Sequence, residues 1–293
     1  MNLKGKPLIY TMALFVVFVW SITFVSTKIL LRWLSPTEIL IYRYVIAYLL
    51  FVAMEPKFQR PRCWRDELTF AAAGFLGVTL YFLCENFALS YSLASNVSLI
   101  VTVSPMLTGV LAHFFSKGER MTRRFILGCV FGLTGVFLLV FNGHFILRLN
   151  PLGDLLALGA ALSFAIYSIV IKNIDTEHYS ATVITRKSFF YALLSLIPLT
   201  FTPLVNFNAA PLMRFDVIAN LVFLGVFASA ACFLLWNKVI WGLGAVRANN
   251  LIYLVPPLTM VMSAIVLHER ITIFAVAGGL LILAGVYVSQ KQS

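Results

Sequence analysis

Long apolar runs alternate with short polar interruptions along this chain, and the length of the runs, more than any amphipathic stripe, sets the expected architecture. Residues 8–27 and the charge-free 125–141 come close to or exceed the roughly 18 apolar residues that carry a helix across a bilayer. Breaks in the pattern predict helices at 8–31, 37–54, 67–90, 95–116, 125–142, 153–172, 180–199, 216–238, 247–267 and 272–289. The expected fold class is therefore an all-α polytopic membrane protein with ten transmembrane helices.

Composition agrees with the pattern. Of 293 residues, 61% are hydrophobic and 11% charged, where a soluble domain carries about 25% charged residues. Lys4 and Lys6 precede the first apolar run, but no small-residue cleavage site follows it, so this segment reads as an uncleaved first span. Cys63, Cys84, Cys129 and Cys232 have no paired spacing, which predicts neither disulfides nor a metal site. The four histidines lack ligand spacing, and the chain has neither a GxxxxGK[ST] loop nor a nucleophile elbow. No cofactor and no enzymatic activity are expected.

The distribution of charge adds orientation. With the N-terminus inside, fourteen of the 22 Lys and Arg fall in cytoplasmic segments and four in outer loops. Positively charged short loops stay on the cytoplasmic side, so both termini are expected there, in a bacterial-type inner membrane. That bias and the anionic lipids of the inner leaflet account for the net charge of +11, and nucleic acid is not an expected partner.

The chain also repeats itself. ERMTRRFILGCVFGLTGV at 119–136 and ERITIFAVAGGLLILAGV at 269–286 share Glu, Arg, Thr, Gly, Leu, Gly and Val in register. Upstream, Phe82-Leu83, Asn86, Ala94 and Pro105 recur as Phe233-Leu234, Asn237, Ala245 and Pro256. Two halves follow, at 1–146 and 147–293. Because each carries five expected spans, an odd number, the second enters the membrane inverted. Loop charge agrees: 55–67 holds four basic residues and its counterpart 202–216 one. Inverted repeats about a shared midplane site are a transporter architecture.

A mid-helix proline, then Glu-Arg-x-Thr and a Gly-rich helix, twice over, with Trp20 in the first span, resembles the EamA family of the drug/metabolite transporter superfamily. The resemblance covers nearly the whole chain and implies ten helices in two inverted repeats, cytoplasmic termini and ATP-independent movement of small metabolites such as amino acids. This sequence has one extra residue between Pro105 and Glu119, and Phe164 where the first half has Trp20.

Candidate substrate-binding residues are the polar and aromatic groups that intrude on the spans: Trp20, Thr23, Arg43, Tyr81, Glu85, Asn96, Tyr167, Trp236, Asn249, Asn250 and Tyr253. Pro105 and Pro256-Pro257 remove backbone donors and free carbonyls for a cavity. Aromatic walls with a few amide and charged groups suit a small zwitterion or an amphipathic amine or acid. A charge inside a span normally faces a cavity or a partner, so Arg43 and Glu85 are either functional or a structural pair. Glu85 is expected to bind a substrate cation or exchange a proton for it. The terminal Glu119-Arg120 and Glu269-Arg270 read as interface charges rather than gates. The function expected is a secondary-active exporter of small metabolites, with an uptake permease of the same fold as the alternative. A membrane-embedded enzyme or signalling protein would need a converging nucleophile, a metal cluster or a soluble regulatory domain, and the sequence offers none. Small-molecule substrate, protons and lipid are the expected partners, and the protein is expected to be a monomer or homodimer.

Overall fold

A computed structural model describes residues 6–57, 59–91, 97, 100–115, 122–141, 150–207, 210–258, 261 and 272–290, and the regular structure among them is entirely helical. In chain order the helices are α1 (Lys6–Leu30), α2 (Pro36–Met54), α3 (Trp64–Tyr91), α4 (Ser104–Phe115), α5 (Arg123–Phe141), α6 (Pro151–Lys172), α7 (Ala181–Thr200), α8 (Phe215–Leu243), α9 (Ala245–Asn250) and α10 (Ile273–Gln290). By length and composition, five are apolar enough to cross a membrane: α1, α2, α3, α6 and α8. The fourth and ninth expected spans run into residues outside those described, and Asn96, Glu119, Arg120, Glu269 and Arg270 lie there too.

Local sequence starts these helices where a polar cap precedes the apolar run. Ser35 accepts from the Glu38 amide while Glu38 accepts from the Ser35 amide, a capping box with Pro36 in the first turn. Ser180 caps α7 through Val183, and Asn150 with Pro151 opens α6. Gly244 ends α8 at φ 87°, a conformation that suits glycine.

The helices are apolar on the outside as well as within. On α6, Leu152, Leu155, Leu158 and Leu162 are exposed while Ala157, Ala160, Ala161 and Phe164 face neighbouring helices. Lipid tails solvate such an outward leucine stripe without cost, and small inward residues let backbones approach. The α5–α10 crossing takes this furthest: a Cβ on Gly135 would lie 2.6 Å from the Gly278 carbonyl oxygen.

α3 and α8 are each interrupted by a π-helical segment, Gly74–Leu80 and Phe223–Ala231. Gly74 meets the backbone of α7 at Ser188, and Gly225 meets α2 at Ile46 and Arg43. The wider π turn frees carbonyls from the ordinary ladder, and side chains take them. Ser163 donates to Leu76 O at 2.7 Å, Tyr44 to Val78 O at 2.8 Å and Trp20 to Ala228 O at 3.3 Å.

α7 packs beside α2 and α3 and is fastened at both ends, to the start of α2 at one and to the end of α2 and the start of α3 at the other. At one, Glu38 Oε1 accepts from the Asn206 and Phe207 amides at 3.1 and 2.9 Å and holds Phe207 at φ 44°, while Ser35 donates to Leu204 O. At the other, Lys187 donates to both oxygens of Glu67 at 2.9 and 2.7 Å, and Tyr191 donates to the same carboxylate. Arg186 donates to the carbonyls of Glu55 and Lys57, and Arg62 pairs with Asp175 at 2.9 Å. Tyr179 donates to Asp66 at 2.7 Å, and burial pushes its phenol above the ordinary range.

Candidate functional site

Between the π segments the molecule gathers most of the residues singled out from sequence. Trp20 stands with its ring centroid 5.0 Å from Trp236, 6.1 Å from Phe164 and 6.1 Å from Phe233. Phe164 continues the wall to Tyr81 at 5.1 Å and to Tyr167 at 5.5 Å. Tyr167 lies over Gly77, where a Cβ would come within 2.1 Å of its ring, and its hydroxyl donates to Asn237 Oδ1 at 2.6 Å. Asn237 in turn donates to Thr185 on α7. Trp236 is fully buried, and its indole N–H finds no acceptor.

The charged edge of this aromatic box is built on α2, α3 and α8. Arg43 is 2% exposed; its Nε donates to Ser229 in the π segment of α8 at 2.8 Å, and its guanidinium lies 4.3 Å from the Phe82 ring centroid. That stacking is a cation–π contact in a desolvated setting. Glu85 is 7% exposed and accepts a long 3.4 Å hydrogen bond from Tyr81. Arg43 and Glu85 lie within Coulombic range, yet no ion pair closes between them. A guanidinium carries five N–H donors, and here Nη2 is buried without a partner.

A second polar layer lies beside it. Asn249 donates to Thr108 on α4 at 2.6 Å and to Ser168 on α6 at 2.9 Å, linking three helices. Asn250, 1% exposed, leaves both amide atoms unpartnered, and Tyr253 packs its ring against Gly132 of α5. Thr23 bonds back to Trp20 O of its own helix and joins neither layer.

Five residues outside the candidate list also belong in the site: Phe82, Phe164, Ser229, Phe233 and Asn237. Phe82, Phe233 and Asn237 had signalled themselves as members of the internal match. Ser229 had only its hydroxyl within the apolar FASAACF to mark it.

The family model described as EamA-like transporter family matches residues 7–141 and again 151–290. The "Probable amino-acid metabolite efflux pump" of Escherichia coli strain K12 is 26% identical over 289 residues, covering 95% of this chain and 93% of its own length. The transporter YvbV of Bacillus subtilis strain 168 is 27% identical over 283 residues, 95% of this chain and 90% of its own. A crystal structure at 17% identity superposes with a TM-score of 0.77, covering 97% of this chain and 96% of the other, which is a likeness of fold.

Proposed function

The chain belongs to the EamA-like transporter family, and from that premise we propose that it is a secondary-active exporter of small amphipathic metabolites, amino acids or compounds like them. The observation that carries this reading is the aromatic box with Arg43 and Glu85 at its edge, buried among helices whose outer faces suit lipid. The name of the Escherichia coli relative supports the substrate class. Uptake by the same fold is the alternative, and transport rather than catalysis is the role.

The accompanying architecture is ten spans in two inverted halves, 1–146 and 147–293, rocking about the box. The double family match supports it, as do contacts between positions that correspond in the two halves. Trp20 touches Phe164, Phe82 touches Phe233 at 6.1 Å, and Tyr44 touches Phe189 at 5.5 Å. A two-fold relation brings equivalent residues into contact only beside its axis, so these three pairs support such a relation between the halves. Counted from the caps Ser35 and Ser180, the position equivalent to Arg43 is Ser188. The charges of the site therefore lie on one half alone. The protein acts as a monomer or homodimer.

Two experiments bear on this. Glu85→Gln keeps the side chain's size and fixes its charge at zero; in proteoliposomes it abolishes the pH dependence of transport if Glu85 exchanges a proton, or selectively loses cationic substrates if it binds them. Unaltered transport at every pH and for every substrate returns Glu85 to a structural role. For orientation, Cys63 is exposed whereas Cys129 and Cys232 are buried. In intact cells an impermeant thiol reagent leaves Cys63 unlabelled and labels a cysteine placed at Asn206. The reverse pattern defeats the proposed topology.

A further inference from the structure

Three cations are buried in the described part of the protein: Arg43, Arg186 and Lys187. Two of them leave no buried nitrogen without a partner. Lys187 is held by both oxygens of Glu67 and lies 5.3 Å from the Phe70 ring centroid, and Arg186 is spread over two loop carbonyls. Arg43 is different. Its Nε is anchored to Ser229 and one face is covered by Phe82, while Nη2 is buried and unpartnered. Glu85, the nearby carboxylate, is bonded to Tyr81 and not to the guanidinium.

A buried cation with spare donors is costly unless an anion joins it. The contacts Arg43 makes, with Ser229, with Phe82 and more distantly with Tyr44 at 5.7 Å, fix the plane of its fork without consuming the Nη edge. Fixing one edge and leaving the other free presents a planar pair of donors, the geometry that matches a carboxylate.

We infer that Arg43 binds a carboxylate of the transported molecule, with Ser229 and Phe82 as the residues that position it. This rests on the transporter reading and adds the chemical class of the substrate's polar end. The charged edge takes that end, and Trp20, Phe164 and Trp236 take an apolar or aromatic tail. Glu85, held off Arg43, leaves the guanidinium to the incoming anion.

The test uses purified full-length protein and three compounds sharing one tail: 3-phenylpropionate, phenylalanine and phenethylamine. Thermal-shift titration shows stabilisation by the two carboxylates, with the amine at least about tenfold weaker, as loss of a charge-assisted bidentate contact implies. Arg43→Lys keeps the charge but loses the fork and weakens the carboxylates about tenfold. Ser229→Ala weakens them less, while Ser229→Thr retains the hydroxyl and restores binding. The comparison among compounds needs no variant, so it stands even where an Arg43 variant fails to fold. Equal binding of the amine overturns the inference and leaves the transporter reading intact. Stabilisation by sodium chloride that matches the carboxylates also overturns it, because the site then holds only an inorganic counter-ion. Should no compound bind and a wider panel show no transport, both readings fall.

Discussion

Lys187→Met lowers the stability of the purified protein by about 3–5 kcal/mol, the cost of stranding one member of a buried ion pair. The side chains of Lys187 and Glu67 are 6% and 16% exposed, so water cannot replace the lost partner. Tyr191 remains as a donor to Glu67 but cannot neutralise it. Glu67→Gln alone removes the carboxylate charge that faces the ammonium and is destabilising for the same reason. The double variant Lys187→Met with Glu67→Gln carries no charge at the site and recovers most of the loss, since uncharged replacements for a buried pair are often neutral. A thermal-unfolding double-mutant cycle measures this. Additive single effects, with no recovery in the double variant, exclude a coupled pair.

How much of this was legible in the sequence depends on the range of the force involved. The apolar runs of α1, α2, α3, α6 and α8 could be read directly, because a bilayer dictates the length of anything that crosses it. Arg43 and Glu85 announced themselves as charges in an apolar run. Their partners did not, since Arg43 meets Ser229 across 186 positions of sequence and only tertiary packing decides that. Lys187 likewise finds its partner far away in sequence, Glu67 on the opening turns of α3, 120 positions back. The π segments were invisible because GFLGVTL and FLGVFASAA are ordinary helix sequence, and the wider turn comes from how α3 and α8 sit against α7 and α2.

Gly74→Ala is expected to be the more damaging of the backbone substitutions, costing about 1–3 kcal/mol or more by overpacking. Its new Cβ would fall 2.2 Å from Ser188 O and 3.1 Å from the Ala192 nitrogen, which are backbone atoms with nowhere to move. The gain in helix propensity, about 1 kcal/mol, does not offset this. Gly159→Ala is the control: the nearest atom there is Cys84 Sγ at 3.6 Å, an ordinary contact, so propensity prevails and stability holds or rises. Melting temperatures of the two variants, measured side by side, decide the matter. Equal behaviour would mean that α3 does not depend on its close approach to α7.

The π segment of α3 also bears on how related chains are aligned. One residue of an α-helix is worth about 100° of rotation. A π turn takes in one residue more than an α turn, so a relative lacking one residue between positions 74 and 80 closes the segment to ordinary α-helix and keeps Tyr81, Phe82 and Glu85 on the face they occupy here. Such a relative gives up the carbonyls that Ser163 and Tyr44 take from the wider turn. A gap falling in the plain α-helix on either side of the segment instead turns one part of the helix by more than a quarter circle against the other. Where a single-position gap falls in an alignment thus decides whether a relative keeps this arrangement of side chains or only the general shape.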